Sequence, residues 1–238
     1  MKGYLARILV LLVGLLGLFL FSLAFIDFSY LGSSTNDQAM RQGDYLRFQS
    51  DYKNLLSLRD LGDPNAELKF TLYTDFACEG CRVFYEQLSS WLKFYLIDDK
   101  IAEFRFRFYP LINVHKESII ASQATLCAAE QGDFYTFHNL LLERQADWLL
   151  NVNIVDYLTD MARLYRYDAE EFRKCLSTNH YEEFVKLELN DAISRGITGA
   201  PTVILEYKGK KRVIEGALNV SKYEQEIDSL KKEGRETE

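Results

Sequence analysis

The sequence is short of the residues that metal sites, cysteine-stapled folds and nucleic-acid surfaces require. Its 238 residues include four cysteines, three histidines and three prolines. Four cysteines are too few to staple a domain of this size, so an apolar core must supply most of the stability. Acidic residues outnumber basic ones by 35 to 28, and no basic tract stands out. The composition therefore argues against nucleic acid as a partner.

The N-terminus contains one long apolar run. Residues 8–26 carry no charge and follow Lys2 and Arg7. As a helix, this run would be about 28 Å long, close to the hydrocarbon thickness of a bilayer. The basic residues lie on its N-terminal side only, so we expect a single-pass membrane anchor with everything after Asp27 outside the cytoplasm. The alternative is a signal peptide cleaved near residues 22–24, which would leave a secreted form.

The rest of the chain divides into a linker and one folded domain. Residues 1–27 are assigned to the anchor segment and residues 28–65, which are polar and rich in glycine and serine, to a stalk. The stalk ends in a Gly-Asp-Pro-Asn turn at 62–65. Residues 66–235 are predicted to form the domain, with a helical insertion at about 115–195.

The pattern of apolar residues predicts the order of elements in the domain. Residues 68–75 and 102–109 are rich in β-forming residues and flank an amphipathic helix at 79–97, a parallel β-α-β unit. Helical segments follow up to about residue 195. Two short strands, 202–208 and 211–217, are then joined by a hairpin at Gly209-Lys210.

A final helix is predicted to begin at Ser221, with Glu224 closing a capping box. The order is therefore β-α-β, a helical block, then β-β-α. The two halves can share one sheet only if the helical block is an insertion that lies outside it.

Cys78-Glu79-Gly80-Cys81 lies where the first strand passes into a helix. The free N–H groups and the dipole of a helix N-terminus favour the Cys78 thiolate, which can attack a disulfide. Cys81, one turn later, can then displace the mixed disulfide. A zinc site is the first alternative, but neither the two other cysteines nor the histidines form a second close pair. A purely structural Cys78–Cys81 bond is the second.

At this point the sequence resembles the DsbA-like thiol:disulfide oxidoreductases of the thioredoxin superfamily. Four stretches in the family's order carry the resemblance: residues 62–66 (Gly-Asp-Pro-Asn-Ala), 73–81 (Tyr-Thr-Asp-Phe-Ala-Cys-Glu-Gly-Cys), 127–138 (Cys-Ala-Ala-Glu-Gln-Gly-Asp-Phe-Tyr-Thr-Phe-His) and 196–202 (Gly-Ile-Thr-Gly-Ala-Pro-Thr). The resemblance implies an α/β thioredoxin-like fold with an inserted helical subdomain.

The resemblance also implies the parts of the active site and its partners. Pro201 would be cis and face the cysteine pair, and the backbone of Ala200 would bind the substrate strand. A trans proline opening an edge strand is the alternative. The activity implied is disulfide exchange with exported proteins through a mixed disulfide, with no cofactor or metal beyond the redox-active disulfide. A DsbB-like or quinone-linked membrane oxidase would recycle the pair.

The chain departs from the family pattern in three respects. Glu79 and Gly80 replace the Pro-His or Pro-Tyr of strongly oxidising members, and we expect the charge of Glu79 to raise the pKa of Cys78. Leu72 stands where the family often has a buried glutamate, which removes the usual proton acceptor for Cys81. Ala200 is smaller than the threonine or valine often found there. These departures favour a milder oxidant, so a reductase or isomerase, or a non-catalytic binding module on the membrane, stays an alternative.

Cys127 and Cys175 lie on apolar faces of predicted helices. In an exported domain the pair is a candidate structural disulfide that would clamp the helical insertion. Two buried free thiols, packed as small apolar side chains, are the alternative.

Overall fold

A computed structural model describes residues 53–236 of the chain. In this part of the chain, five strands form one mixed sheet: β1 (Leu61–Gly62), β2 (Leu68–Thr74), β3 (Ala102–Phe108), β4 (Thr202–Tyr207) and β5 (Lys210–Glu215). The α-helices are α1 (Glu79–Trp91), α2 (Ser118–Ala129), α3 (Phe134–Glu143), α4 (Gln145–Leu149), α5 (Ile154–Leu164), α6 (Ala169–Ser177), α7 (Glu182–Ser194) and α8 (Val220–Arg235).

The strand order in the sheet is β1-β3-β2-β4-β5. Strands β2 and β3 run parallel and are connected through α1, whereas β4 is antiparallel to β2 and pairs with β5 in a hairpin. This is the predicted β-α-β and β-β-α order in a single sheet. Strand β2 lies at the centre of the sheet and is hydrogen-bonded to a strand on each side. The Cys-x-x-Cys motif follows the C-terminal end of this strand.

The core is built from aromatic and aliphatic side chains on both sides of the sheet. In β3, buried residues alternate with half-buried ones, and Phe104, Phe106 and Phe108 point inward. Helix α1 is amphipathic and ends at Trp91, and a π-helical segment (Leu92–Ile97) continues it over the length predicted from the sequence. The alternation in β3 and the helical spacing in α1 are the periods expected for a half-buried strand and a surface helix.

Helices α2 to α7 occupy the connection between β3 and β4, close to the predicted insertion at about 115–195. The short helix α4 was not predicted. Its five residues are too few to show a helical period. The Trp148 indole in this helix is buried, and its Nε1 donates a hydrogen bond to the carbonyl oxygen of Leu141 at 2.7 Å.

Two predicted element boundaries are wrong by one or two residues. The hairpin loop is Lys208-Gly209, not Gly209-Lys210, because Tyr207 pairs with Lys210 and both loop residues have positive φ, as a two-residue type I′ turn requires. Helix α8 is capped by Asn219, whose side chain accepts a hydrogen bond from Lys222 N at 3.0 Å. The capping box predicted at Ser221 is absent from this helix, because a better acceptor lies two residues earlier.

The domain begins earlier than the predicted stalk boundary at residue 65. Leu55 is buried, and β1 pairs with β3 at the edge of the sheet. The guanidinium of Arg59 is fully buried and forms a bidentate ion pair with Glu188 of α7, at 2.6 and 2.9 Å. Glu188 also accepts a hydrogen bond from Phe108 N at 2.9 Å. This buried network makes residues 55–62 part of the folded domain.

Within residues 53–236, no helix is long and apolar enough to cross a bilayer. The predicted anchor at residues 1–27 and most of the predicted stalk lie outside the described residues.

Candidate functional site

The two cysteines of the motif sit at the start of α1. Cys78 is the N-cap residue, with extended backbone angles, and its carbonyl oxygen accepts hydrogen bonds from the N–H groups of Cys81 and Arg82, each at 3.1 Å. This first helical turn brings the two side chains to the same side. Both are free thiols in this structure; Cys78 is partly exposed and Cys81 is buried. The arrangement presents one sulfur to solvent and keeps the other behind it.

The surroundings of the two sulfurs shift their pKa values in opposite directions. A hydrogen bond from the Cys81 thiol, with help from the backbone N–H groups of Cys81 and Gly80, lowers the pKa of Cys78 to about 6, although burial and the nearby Asp75 charge act in the opposite direction. Burial raises the pKa of Cys81 well above its ordinary value. At neutral pH the pair is therefore a partly exposed thiolate next to a buried thiol.

The expectation that Glu79 raises the pKa of Cys78 is wrong. The Glu79 carboxylate is exposed and paired with Arg82, whose Nε lies 3.1 Å from Glu79 Oε2, so its charge is largely offset. The carboxylate that does raise the pKa of Cys78 is Asp75, three residues before it.

The loop before β4 forms the opposite wall of the site. The Ala200–Pro201 peptide bond is cis, and the Cys78 thiol donates to the carbonyl oxygen of Ala200 at 3.6 Å. Gly80 lies against this wall: a Cβ placed on it would be 3.4 Å from Pro201 Cδ and 3.7 Å from Cys78 Sγ. The structure thus brings together Cys78, Gly80, Ala200 and Pro201.

Helix α4 supplies a contact that sequence reasoning missed. The side-chain amide of Gln145 donates hydrogen bonds to the carbonyl oxygens of Phe76 at 2.7 Å and of Cys78 at 3.0 Å. Gln145 is buried, so both bonds are shielded from water. In the sequence, the only indication of this contact is that Gln145 is a polar residue between two apolar helical segments. The helical insertion therefore holds the motif loop directly.

A cavity of about 550 Å³ opens beside Cys81, and Leu72, Thr74 and His138 are among the residues that line it. Leu72 is buried at the position where a glutamate was looked for. A hydrogen bond with the Thr74 hydroxyl favours the Cys81 thiolate, and burial lowers the pKa of His138 to about 4, so this imidazole is neutral at physiological pH. The cavity wall at Cys81 offers a hydroxyl and a neutral ring in place of a carboxylate.

The other two cysteines, Cys127 and Cys175, form a disulfide in the helical insertion. Cys127 of α2 and Cys175 of α6 are bonded with an S–S distance of 1.99 Å and a sequence separation of 48. Both are buried, and the bond ties two helices of the insertion. Across the described residues, no group of three or more histidine, cysteine or acidic side chains could hold a metal ion.

A strand-to-helix Cys-x-x-Cys site opposite a cis-proline loop, on this sheet, defines a thioredoxin-fold protein. A family model described as thioredoxin matches residues 57–229. The chain belongs to the thioredoxin family, and the predicted DsbA-like membership is confirmed.

Three similar proteins illustrate the relationship. A putative protein-disulfide oxidoreductase of Rickettsia bellii is 28% identical over 60% of this chain and 52% of its own length. A Na(+)/H(+) antiporter, NhaA 3 of Salinispora tropica, is 28% identical over 59% of this chain and 20% of its own length. The crystal structure of Wolbachia pipientis alpha-DsbA1 superposes with a TM-score of 0.64 and 21% identity, over 75% of this chain and 93% of that one. The chain therefore spans about half or less of these two sequence relatives.

Proposed function

We propose that this chain is a thiol–disulfide oxidoreductase that acts on exported proteins outside the cytoplasm. Cys78 is the nucleophile and Cys81 the resolving cysteine. The observation that carries the proposal is the difference between the two cysteines: Cys78 is partly exposed and its pKa is lowered to about 6, whereas Cys81 is buried and its pKa is raised. A structural disulfide or a packing thiol gains nothing from such a difference.

In the oxidising direction the reaction is a double exchange. A substrate thiolate attacks Cys78 Sγ of the Cys78–Cys81 disulfide, forming a mixed disulfide, and Cys81 leaves and takes up a proton. A second substrate thiolate then attacks the substrate sulfur of the mixed disulfide and releases Cys78 as a thiolate. The substrate loses two electrons and gains its disulfide, and the cysteine pair takes up those electrons.

The acidity of Cys78 supports this direction. A thiol with a pKa of about 6 leaves faster than an ordinary thiol and stabilises the reduced form of the pair, which makes the disulfide an oxidant. Among known pairs, nucleophile pKa values run from about 7 in the reducing thioredoxin to about 3.5 in the strongly oxidising DsbA. Cys78 lies between them, so a reductase or isomerase that uses the same site is the second candidate.

The wall opposite Cys78 is the proposed binding site for the substrate backbone. The carbonyl oxygen of Ala200 lies 3.6 Å from Cys78 Sγ, so a peptide placed there would lie against the nucleophile. The close approach of Gly80 to Pro201 keeps this wall free of a side chain on the helix side. Exported proteins with pairs of cysteines are the proposed substrates, and the site needs no cofactor beyond its own disulfide.

The proposed location follows from the N-terminal run at residues 8–26, which would anchor the chain in the cell membrane with the domain outside. A DsbB-like or quinone-linked membrane oxidase is the proposed recycling partner. A membrane-impermeant maleimide tests the location: on intact cells it should label reduced Cys78, and a Cys78→Ser variant should not be labelled. Labelling only after lysis would contradict it.

Trapping tests the activity. In a Cys81→Ala variant, the Cys78 thiolate can still attack a disulfide, but no Cys81 thiol remains to resolve the mixed disulfide that forms, so we expect it to accumulate with disulfide-containing exported proteins and with an oxidised two-cysteine peptide. The matched control, Cys78→Ser with Cys81→Ala, should trap neither. If Cys81→Ala also traps neither, the chain is not an exchange enzyme. That result would favour the alternative function, a non-catalytic binding module on the membrane.

A further inference from the structure

Asp75 is a fully buried carboxylate beside the redox pair. Its Oδ1 accepts a hydrogen bond from Ala77 N at 2.9 Å, and its Oδ2 accepts one from Leu111 N at 2.9 Å and one from the Ser118 hydroxyl at 2.8 Å. These bonds fasten the motif loop to the segment after β3 and to the start of α2. The carboxylate is therefore held in one place.

The backbone of Asp75 contacts both cysteines. Its carbonyl oxygen accepts a hydrogen bond from Cys78 N at 3.2 Å, and its N–H points to Cys81 Sγ at 3.4 Å. A change at this residue would therefore reach the nucleophile and the resolving sulfur together.

The three groups that donate hydrogen bonds to the Asp75 carboxylate are neutral. Two backbone amides and a hydroxyl orient the carboxylate but do not cancel its charge, as an arginine or lysine would. His115 is the titratable group that favours the charged form of Asp75 from the neighbouring loop, and burial, the larger effect, raises the pKa of Asp75. Because the effective dielectric is lower in a buried site than in water, a charge there interacts more strongly with neighbouring charges.

We propose that Asp75 is a positioning residue that fixes the motif loop and whose buried negative charge opposes the Cys78 thiolate, making the pair a weaker oxidant. The proposal rests on the exchange function proposed above. Reduction of the Cys78–Cys81 disulfide consumes two electrons and one proton near neutral pH, leaving Cys78 as a thiolate and Cys81 as a thiol. The Asp75 charge repels the charge of the thiolate product, so it disfavours the reduced form.

The same geometry explains why the nearer carboxylate matters less. Glu79 directly follows Cys78 but is exposed and paired with Arg82, so water and the guanidinium screen it. Asp75 is three residues from Cys78 in sequence, rather than one, but it is buried. Two acidic residues on either side of one thiol thus make a matched pair for a charge-removal experiment.

The experiment compares Asp75→Asn with Glu79→Gln in the full chain. The acid dissociation constant of Cys78 is measured from the pH dependence of its alkylation by iodoacetamide, located by mass spectrometry. We expect Asp75→Asn to increase it by about three- to tenfold, which corresponds to roughly 0.7–1.4 kcal/mol. Glu79→Gln should change it less than twofold. The equilibrium with glutathione should move toward reduced protein in Asp75→Asn by a similar factor.

A loss of loop geometry alone would give a different result. Ser118→Ala removes one hydrogen bond but keeps the charge, so it should not make Cys78 more acidic. If Asp75→Asn leaves the dissociation constant unchanged or lowers it, or if Ser118→Ala raises it equally, the proposal is overturned. None of these readouts uses a protein substrate, so they are independent of the trapping experiment that tests the exchange function.

Asp75→Asn loses its hydrogen bond to Ala77 or to Leu111, so a second neutral variant is needed. Asp75→Ser is smaller, and its hydroxyl can still accept from Ala77 N as a serine turn does. If Asp75→Ser also leaves the acid dissociation constant of Cys78 unchanged or lowers it, the proposal is overturned.

Discussion

The chain contains two pairs of cysteines whose surroundings differ in almost every respect. Cys78 and Cys81 are three residues apart at a helix N-terminus, and one of them reaches solvent. Cys127 and Cys175 are 48 residues apart, both are buried, and they are bonded between two helices. The first pair has the setting that makes a thiolate reactive, and the second has the setting that restrains an unfolded chain.

The difference teaches that placement decides what a cysteine pair does. A short loop at a helix start gives little loop-closure entropy, but it gives acidity and access. A long loop closed between two buried helix positions gives a large loop-closure entropy but neither acidity nor access. The predictions below either break one pair and leave the other intact, or sharpen the contrast between them.

The largest effect is expected from removing the nucleophile. Cys78→Ser should reduce disulfide exchange with a reduced two-cysteine peptide by on the order of a thousandfold or more, because a hydroxyl does not replace a thiolate in this reaction. The measurement is the initial rate of peptide oxidation, monitored by mass. The double variant Cys127→Ala, Cys175→Ala, assayed below its unfolding transition, should keep most of the rate. Equal losses in both would contradict the division between the pairs.

The second effect concerns stability. The same double variant should lose about 4 kcal/mol of unfolding free energy, the chain-entropy value for a loop of this length. Cys78→Ser should lose far less. The measurement is urea unfolding of each variant in the oxidised state. A stability loss below about 1 kcal/mol would show that the helical insertion is held by its packing alone.

A smaller effect is expected at Gln145, which links the insertion to the reactive pair. Gln145→Met keeps the side-chain length but removes both hydrogen bonds to the motif loop, leaving the carbonyls of Phe76 and Cys78 without this donor. We expect a loss of about 1–3 kcal/mol in stability together with a slower exchange reaction. Unfolding and exchange rate are both measured. A stability loss with an unchanged exchange rate would show that the insertion does not position Cys78.

The smallest effect is the pH dependence of the reduced protein. The folded state lowers the pKa of Cys78 to about 6, against about 8.5 when unfolded. Between these values the folded chain holds a thiolate and the unfolded chain a thiol, so the stability of the reduced protein should rise with pH across this window. It should be lost as pH falls through about 6.

The oxidised protein has no free thiol at Cys78 and provides the reference for that measurement. The difference in unfolding free energy between the reduced and oxidised states should increase from pH 6 to pH 8 in wild type. Cys78→Ser cannot form the pair, and its unfolding free energy should show no such rise with pH. The raised pKa of Cys81 acts above the window and does not change the sign. A difference that falls with pH would contradict the acidity assigned to Cys78.

Local patterns in the sequence predicted much of this architecture. The strand, helix and hairpin order follows from periodicity, and the redox motif follows from two cysteines at a strand–helix junction. The facing proline came from the family resemblance, since nothing local in the residues around Pro201 requires a cis bond. Each of these features is encoded within a few neighbouring residues or in a recognisable motif.

The features that were missed depend on partners distant in sequence. Arg59 lies in a polar stretch that resembles a stalk, and only its ion pair with Glu188, 129 residues away, makes it part of the core. Gln145 contacts carbonyls 67 and 69 residues earlier. The pairing of Glu79 with Arg82 is the exception, because these two residues are only three apart on α1. Tertiary pairing of charges is not readable from a single sequence.

A redox titration of the four cysteines tests the central claim most directly. The full chain is equilibrated in glutathione buffers of increasing reducing power, quenched by alkylation, and each cysteine is quantified by mass spectrometry. The account predicts that Cys78 and Cys81 become reduced together within the range of these buffers, while Cys127 and Cys175 stay bonded. Reduction of Cys127–Cys175 before or together with Cys78–Cys81 would contradict it.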